Sequence, residues 1–349
     1  MSREPVRIGL VGYGRGGRFF HAPLIEQAPE CVLAGVVTRS PQRRDELDKD
    51  HPGTPAHDDL TGLADAGVDA VVITTPLDTH EPLVREAITL RLPVVSDKPF
   101  TPDAASARDL VAAAERAEVL LSVYQNRRWD ADFLTVRKLV EAGELGEVVT
   151  FESRMEQYSP AGQFSLTGGG VLRDFGSHIV DQALRLFGPA ASVYAQTHVV
   201  REQHNFDDRF FLSLRHHNGV ISHLWGNWAL QGPPPPRFRV VGSSGTFEVE
   251  SDDGQTERLL GARSPASEGA AFGTVPEARW GRLYRGEEAG RTIPAERGQW
   301  STFYSMLAGA LRGENDPPVD PWDAVAALTL LDAARTSAEV GRVVRLGDV

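Results

Sequence analysis

The chain has 349 residues and a formal net charge of −12, with a pI near 5.3. That is enough length for two domains with separate cores, and too acidic a balance for a broad nucleic-acid surface. Cys31 is the lone cysteine, so no intrachain disulfide forms, and no charged-then-apolar leader opens the sequence, which makes the cytoplasm the expected compartment. No uncharged apolar run approaches the roughly 18 residues that cross a bilayer, so a membrane is not an expected partner either.

In chain order, Val6–Val11, Val32–Val37, Ala70–Thr75, Pro93–Ser96 and Val119–Val123 read as short β-branched strands. Amphipathic stretches such as Glu81–Leu90 and Asp103–Arg116 separate them. Strand–helix alternation predicts a doubly wound parallel sheet, with any ligand beyond the carboxyl ends of the strands. The pattern changes near Asp130. A helix at Asp132–Ala142, a strand at Val148–Ser153, a turn at Gly168–Gly170 and a helix at Ser177–Phe187 come first. Strands at Val193–Val200, Phe210–Arg215, Val220–Trp228, Phe238–Gly242 and Thr246–Glu250 then follow without helices between them, the mark of a mainly antiparallel sheet. Pro233–Pro236 reads as a loop, 251–298 as surface loops, and Thr302–Leu311 and Pro321–Val340 as helices. The expected domains are 1–124 and 125–349, the closing helices being free to pack back on the first.

Gly12, Gly14 and Gly17 form a G-x-G-x-x-G directly after the first strand. Such a turn cradles a pyrophosphate, so Gly12, Gly14, Arg15 and Gly17 are expected to touch a dinucleotide. An acidic residue about 20 positions past the glycines would favour NAD. Here Thr38, Arg39 and Ser40 stand instead, with Arg43 and Arg44 a turn further on, so NADP(H) is the preferred cofactor and NAD(H) the alternative. These arginines read otherwise as a solvated helix start without a ligand. Thr75, Pro76 and His80 close the next strand at the same edge, where cofactor contacts collect; His80 reads equally as the start of a helix. Asp97 and Lys98 end the strand after that and are also expected beside the cofactor. A lysine there suits a substrate oxygen on which negative charge develops. In the second domain, Asp174 and His178 are four residues apart and share a helix face, which suits a carboxylate orienting a general base. Asp174 as a plain cap competes with this. With Asp181 the pair does not complete a recognisable metal-ligand set, so no metal is expected. His216, His217 and His223 read as ordinary sheet positions.

In this order the motifs resemble the Gfo/Idh/MocA family of oxidoreductases: the glycine turn, then Asp97-Lys98-Pro99, then Gly168–Gly170 with Asp174, Gly176, His178 and Asp181. The resemblance covers nearly the whole chain. It implies an N-terminal Rossmann domain followed by an α+β domain with an open, mainly antiparallel sheet. It also implies that Lys98, Asp174 and His178 are the catalytic group, and that the protein is a homodimer or homotetramer. Phe20–Leu24, Tyr124–Asp130 and Phe151–Arg154 resemble the branch containing NADP-dependent scyllo-inositol dehydrogenases and sugar reductases. Asp97 replaces the family's usual Glu, a mild change, and Leu77 stands where Asn is frequent, which bears on contacts near the ribose.

The expected reaction is hydride transfer between a nicotinamide and the CH–OH or C=O of a sugar or inositol-like polyol. Tyr124, Asn126, Arg127, Trp129, Arg154 and Tyr158 supply donors and a flat face for a hydroxyl-rich ring. Two alternatives stand beside it. One is a non-enzymatic NAD(P)-binding regulator of the same fold, which would have no need of the complete Lys98, Asp174 and His178 set. The other is a same-family enzyme with a different reaction on a sugar derivative.

Overall fold

The computed structural model describes residues 4–159, 169–201 and 206–347; Gly168 lies outside them. The chain divides into two compact units. The first comprises Met1–Asn126, Gln255–Phe272 and Trp300–Ala324, and the second Arg127–Gly254, Gly273–Gln299 and Val325–Val349.

In the first unit, strands β1 (Val6–Val11), β2 (Cys31–Val37), β3 (Ala56–His57), β4 (Ala70–Ile73), β5 (Val94–Ser96) and β6 (Leu121–Val123) form one sheet, ordered β3-β2-β1-β4-β5-β6. Every neighbouring pair is parallel. β4 and β5 are buried along their whole length, as continuous apolar runs inside a sheet covered on both faces must be. Helices α1 (Ala22–Gln27), α2 (Pro41–Asp50), α3 (Leu60–Asp65), α4 (His80–Thr89) and α5 (Ala104–Arg116) connect them. Several start on side-chain caps: Ser40 Oγ accepts from the Arg43 amide, and Asp103 Oδ1 from that of Ser106. Strand order reverses between β1 and β4, which is the Rossmann arrangement, and the ligand crevice of such sheets opens at that reversal.

In the second unit, α6 (Ala131–Glu141) and α7 (Gly170–Phe187) accompany a nine-stranded sheet. Its strands are β7 (Val148–Glu156), β8 (Ala190–His198), β9 (Arg209–His216), β10 (Ile221–Asn227), β11 (Phe238–Gly242), β12 (Thr246–Val249), β13 (Arg282–Tyr284), β14 (Arg291–Thr292) and β15 (Val344–Arg345). The order is β14-β13-β12-β11-β7-β10-β9-β8-β15, antiparallel except for β7 against β10. Alternate residues of β7, Phe151 and Ser153, are buried on the face that α7 covers, with Phe151 against Phe187 at 5.3 Å between ring centroids. Gly226 sits opposite Phe210 in the ladder, and a Cβ there would lie 2.2 Å from the Phe210 ring.

The stretch 251–298 departs from its reading as surface loops. It forms the helix Gln255–Leu260 and the strands β13 and β14, and Leu259, Phe272, Leu283 and Ile293 are buried. Elements of two to six residues carry too few positions to show a hydrophobic period.

Candidate active site

The glycine turn is built for close approach. Gly12 has φ +101°, where an L side chain is strained, and a Cβ on Gly17 would sit 2.1 Å from the Gly12 carbonyl oxygen. The Thr74 hydroxyl donates to that same oxygen at 3.1 Å, tying the turn to the end of β4. Gly14 is different: a Cβ there would meet nothing nearer than the Arg43 guanidinium at 3.7 Å. Beside the turn lies a cavity of about 410 Å³, lined by Gly12, Thr38, Arg39, Ser40, Arg43, Asp58, Asp59 and Thr75 among others. Of its three carboxylates, Asp58, Asp59 and Glu86, the two aspartates are engaged. Asp58 Oδ1 takes the Arg44 guanidinium at 2.6 Å, and Asp59 Oδ1 caps α3 through the Gly62 amide at 2.9 Å. Thr38 is buried, and its amide donates to the His57 carbonyl. The Arg39 Nε donates to the Asp58 carbonyl oxygen at 3.0 Å, while its side chain stays exposed. Space over Gly14, a turn whose Gly12, Gly14, Gly16 and Gly17 carry no side chains and guanidinium groups at the rim fit a phosphorylated dinucleotide.

The loop after β5 belongs to the same unit. His80, 2% exposed, is the first residue of α4 and fastens two loops together. Its Nε2 lies 2.8 Å from the Thr75 carbonyl oxygen, and its Nδ1 3.0 Å from that of Pro99. Both ring nitrogens therefore face backbone. Asp97 Oδ1 accepts from the Lys98 amide at 2.7 Å. Burial pushes the Asp97 carboxyl up, but His21, Lys98 and His80 together outweigh it and hold the group below the ordinary carboxylate range.

In the second unit, α7 starts at Gly170, so Asp174 stands in its second turn. The place at the helix start belongs to Asp207, which sequence reasoning missed. Its Oδ2 accepts from the Leu172 amide at 2.7 Å and its carbonyl from the Val171 amide at 2.9 Å. A Cβ on Gly170 (φ +80°) would lie 2.3 Å from Asp207 Oδ1. Asp174 and His178 share one face a turn apart, Asp174 half-buried and His178 buried. Asp181, one turn beyond, is held in a bidentate pair by Arg128 at 2.8 and 2.5 Å, both groups buried.

The remaining side chains are placed differently from one another. Tyr124 is buried, its hydroxyl donating to the Phe20 carbonyl at 3.2 Å. Asn126 is also buried. Arg127 pairs with Asp130 at 2.9 Å. Arg154 alternates with Ser153 on β7 and lies on the sheet face away from α7, paired with Glu152 at 2.9 Å and 3.8 Å over the Trp225 ring. Trp129 is half-buried, and Tyr158 is 62% exposed. Of the sheet histidines, His216 is buried between the Gly188 carbonyl and the Ser222 hydroxyl.

Residues 6–125 match the family described as "Oxidoreductase family, NAD-binding Rossmann fold", and residues 133–248 match the "GFO/IDH/MocA C-terminal domain". The scyllo-inositol 2-dehydrogenase (NADP(+)) IolW of Bacillus subtilis is 32% identical over 98% of this chain and 96% of its own length. The chain belongs to the Gfo/Idh/MocA family. As a member it is an NAD(P)-dependent oxidoreductase. Solved relatives agree along the whole length. A putative oxidoreductase from Klebsiella pneumoniae superposes with a TM-score of 0.90 at 34% identity, over 99% of this chain and 96% of the other. The putative oxidoreductase yvaA of Bacillus subtilis gives 0.92 at 30% identity, over 99% and 100%. Among the described residues, no helix of this Gfo/Idh/MocA member is long and apolar enough to cross a membrane.

Proposed function

We propose that this oxidoreductase prefers NADP(H) and interconverts a CH–OH group and a carbonyl on a sugar or an inositol-like polyol. The observation that carries the reading is the carboxyl edge of the first sheet, where the glycine turn, the guanidinium-rimmed cavity and Lys98 all stand on strands of one unit. Among the described residues, neither Arg39 nor Arg43 has a carboxylate paired to its guanidinium, whereas Arg44 is held by Asp58. A 2′-phosphate would find two cations without displacing an ion pair. The B. subtilis relative, whose name specifies NADP(+) and scyllo-inositol, supports the same cofactor and substrate class.

The bound nicotinamide supplies the two-electron chemistry. Lys98 holds positive charge at the substrate oxygen as it takes on alkoxide character. His178 exchanges the hydroxyl proton, and Asp174 on the same helix face orients its ring. Trp129 and Tyr158 offer flat surface to a ring, and Asn126 a donor. Residues 1–124 are the dinucleotide-binding part, and 125–349 the part that binds substrate and joins copies into a dimer or tetramer in the cytoplasm.

The test is a fluorescence titration with NADPH and NADH, followed by a panel of inositols, polyols and keto-sugars read by absorbance of the reduced nicotinamide. Tighter NADPH binding with turnover of a panel member is expected. Tight binding without turnover would overturn the enzymatic half and leave a regulator; equal affinities would overturn the cofactor half.

A further inference from the structure

His21 is fully buried and ends the tight π-helical turn Gly16–His21. Three elements of the first unit close around its ring. Tyr124, after β6, stacks on it at 4.2 Å between centroids. Tyr304, from the helix Thr302–Leu311, places its hydroxyl 2.5 Å from Nδ1. Asp97, after β5, presents Oδ2 at 3.4 Å from Nε2, within ion-pairing distance though off line for a hydrogen bond, and Nε2 has no hydrogen-bond partner among the described residues. Burial, with Tyr124, Asp97 and Cys31 nearby, pushes the Tyr304 hydroxyl well up, so it stays protonated and donates to Nδ1. The ring proton is thereby fixed on Nε2, toward Asp97.

Asp97 is touched from both ends of that turn. Its Oδ2 faces His21, and the same oxygen would lie 3.2 Å from a Cβ on Gly16. Its Oδ1 holds the Lys98 amide. The titratable groups around it are His21, Lys98 and His80.

We propose that His21 is a positioning residue of the active site: with Tyr304 it orients the Asp97 carboxylate against the glycine turn and the Lys98 amide, and so sets where Lys98 stands. The role of Lys98 in this statement rests on the proposed function above. His21 touches neither substrate nor cofactor in this assignment, and acts through Asp97.

The experiment follows Asp97 directly. Protein labelled with ¹³C at the aspartate carboxyl is titrated by NMR, the Asp97 resonance being identified by its loss in D97N. kcat and KM are then measured against pH on a substrate that the wild type turns over. In His21→Leu the Asp97 midpoint should rise by about one pH unit or more. The acid limb of kcat should move up with it, and KM for NADPH should hold. His21→Gln, which returns an N–H donor, should bring the midpoint part of the way back, and Tyr304→Phe should shift it less than His21→Leu does. An Asp97 midpoint unchanged in His21→Leu overturns the proposal; if that variant does not fold, Tyr304→Phe decides by the same reading. The NMR titration needs no turnover, so failure here is distinct from failure of the Lys98 assignment, which would show as full turnover in a variant lacking Lys98.

Discussion

At single residues, the decisive question is which cations are already satisfied. Lys98 is set by its own amide on Asp97 and by a loop that His80 fastens to the end of β4, so its backbone is fixed before any ligand arrives. Replacing Lys98 with Met keeps the stem and removes the charge. Turnover should fall by about 10²- to 10³-fold, the cost of one electrostatic stabiliser, with NADPH affinity unchanged in the fluorescence titration. Arg43 poses the complementary case, since its guanidinium lies near Gly14 and lines the cavity, with no carboxylate partner among the described residues. A charge-assisted hydrogen bond contributes about 1.5–3 kcal/mol, so Arg43→Ala should weaken NADPH about tenfold or more while NADH changes little. Equal losses for both nucleotides would mean that the 2′-phosphate lies elsewhere.

Between elements, the spacing of α7 was legible and its partners were not. Asp174, His178 and Asp181 fall on one side of a helix because three- and four-residue steps place them there. The group at the helix start, Asp207, is 35 residues from the amide it accepts, and Arg128 is 53 residues from Asp181. His21 and Tyr304 are 283 apart. No local pattern encodes such pairs, since each depends on which loop the fold brings back; the longer strands depend on neighbours in sequence and were legible, whereas the two- and three-residue strands β3, β13, β14 and β15 were not. The two α7 contacts differ in what their removal leaves behind. Asp207→Ala removes a cap and should cost about 1 kcal/mol. Arg128→Met leaves Asp181 buried without its cation and should cost about 3–5 kcal/mol. Thermal unfolding followed by circular dichroism should therefore show the larger drop in Tm for Arg128→Met; the reverse order would mean that Asp181 is satisfied without Arg128.

For the molecule as a whole, a net charge of −12 opposes association of copies, so any interface must lie where charge is locally neutral. The sheet face away from α7 is such a place. Arg154 pairs with Glu152, and Arg239 with Glu152 and Glu248, at 2.9, 3.5 and 3.4 Å, so the charges of β7, β11 and β12 on that face are largely matched within it. Beside this network, the Phe211 ring packs tilted against Trp225 at 5.2 Å between centroids, and His223 against Phe211 at 5.7 Å, with Ile221 exposed at the start of β10. Aromatic surface ringed by self-neutralised charge is what a copy of the same face would bury. The proposed dimer or tetramer is therefore assigned to this sheet face. Trp225→Glu replaces the central aromatic surface of this face with a carboxylate and should give single-protomer mass in sedimentation velocity, with NADPH binding unchanged because Trp225 is not among the residues lining the cavity. Wild-type protein sedimenting as a single protomer, or a Trp225→Glu variant that still assembles, would move the interface elsewhere. Raising salt should not dissociate the wild type, since screening weakens the repulsion of like-charged copies more than it weakens apolar burial.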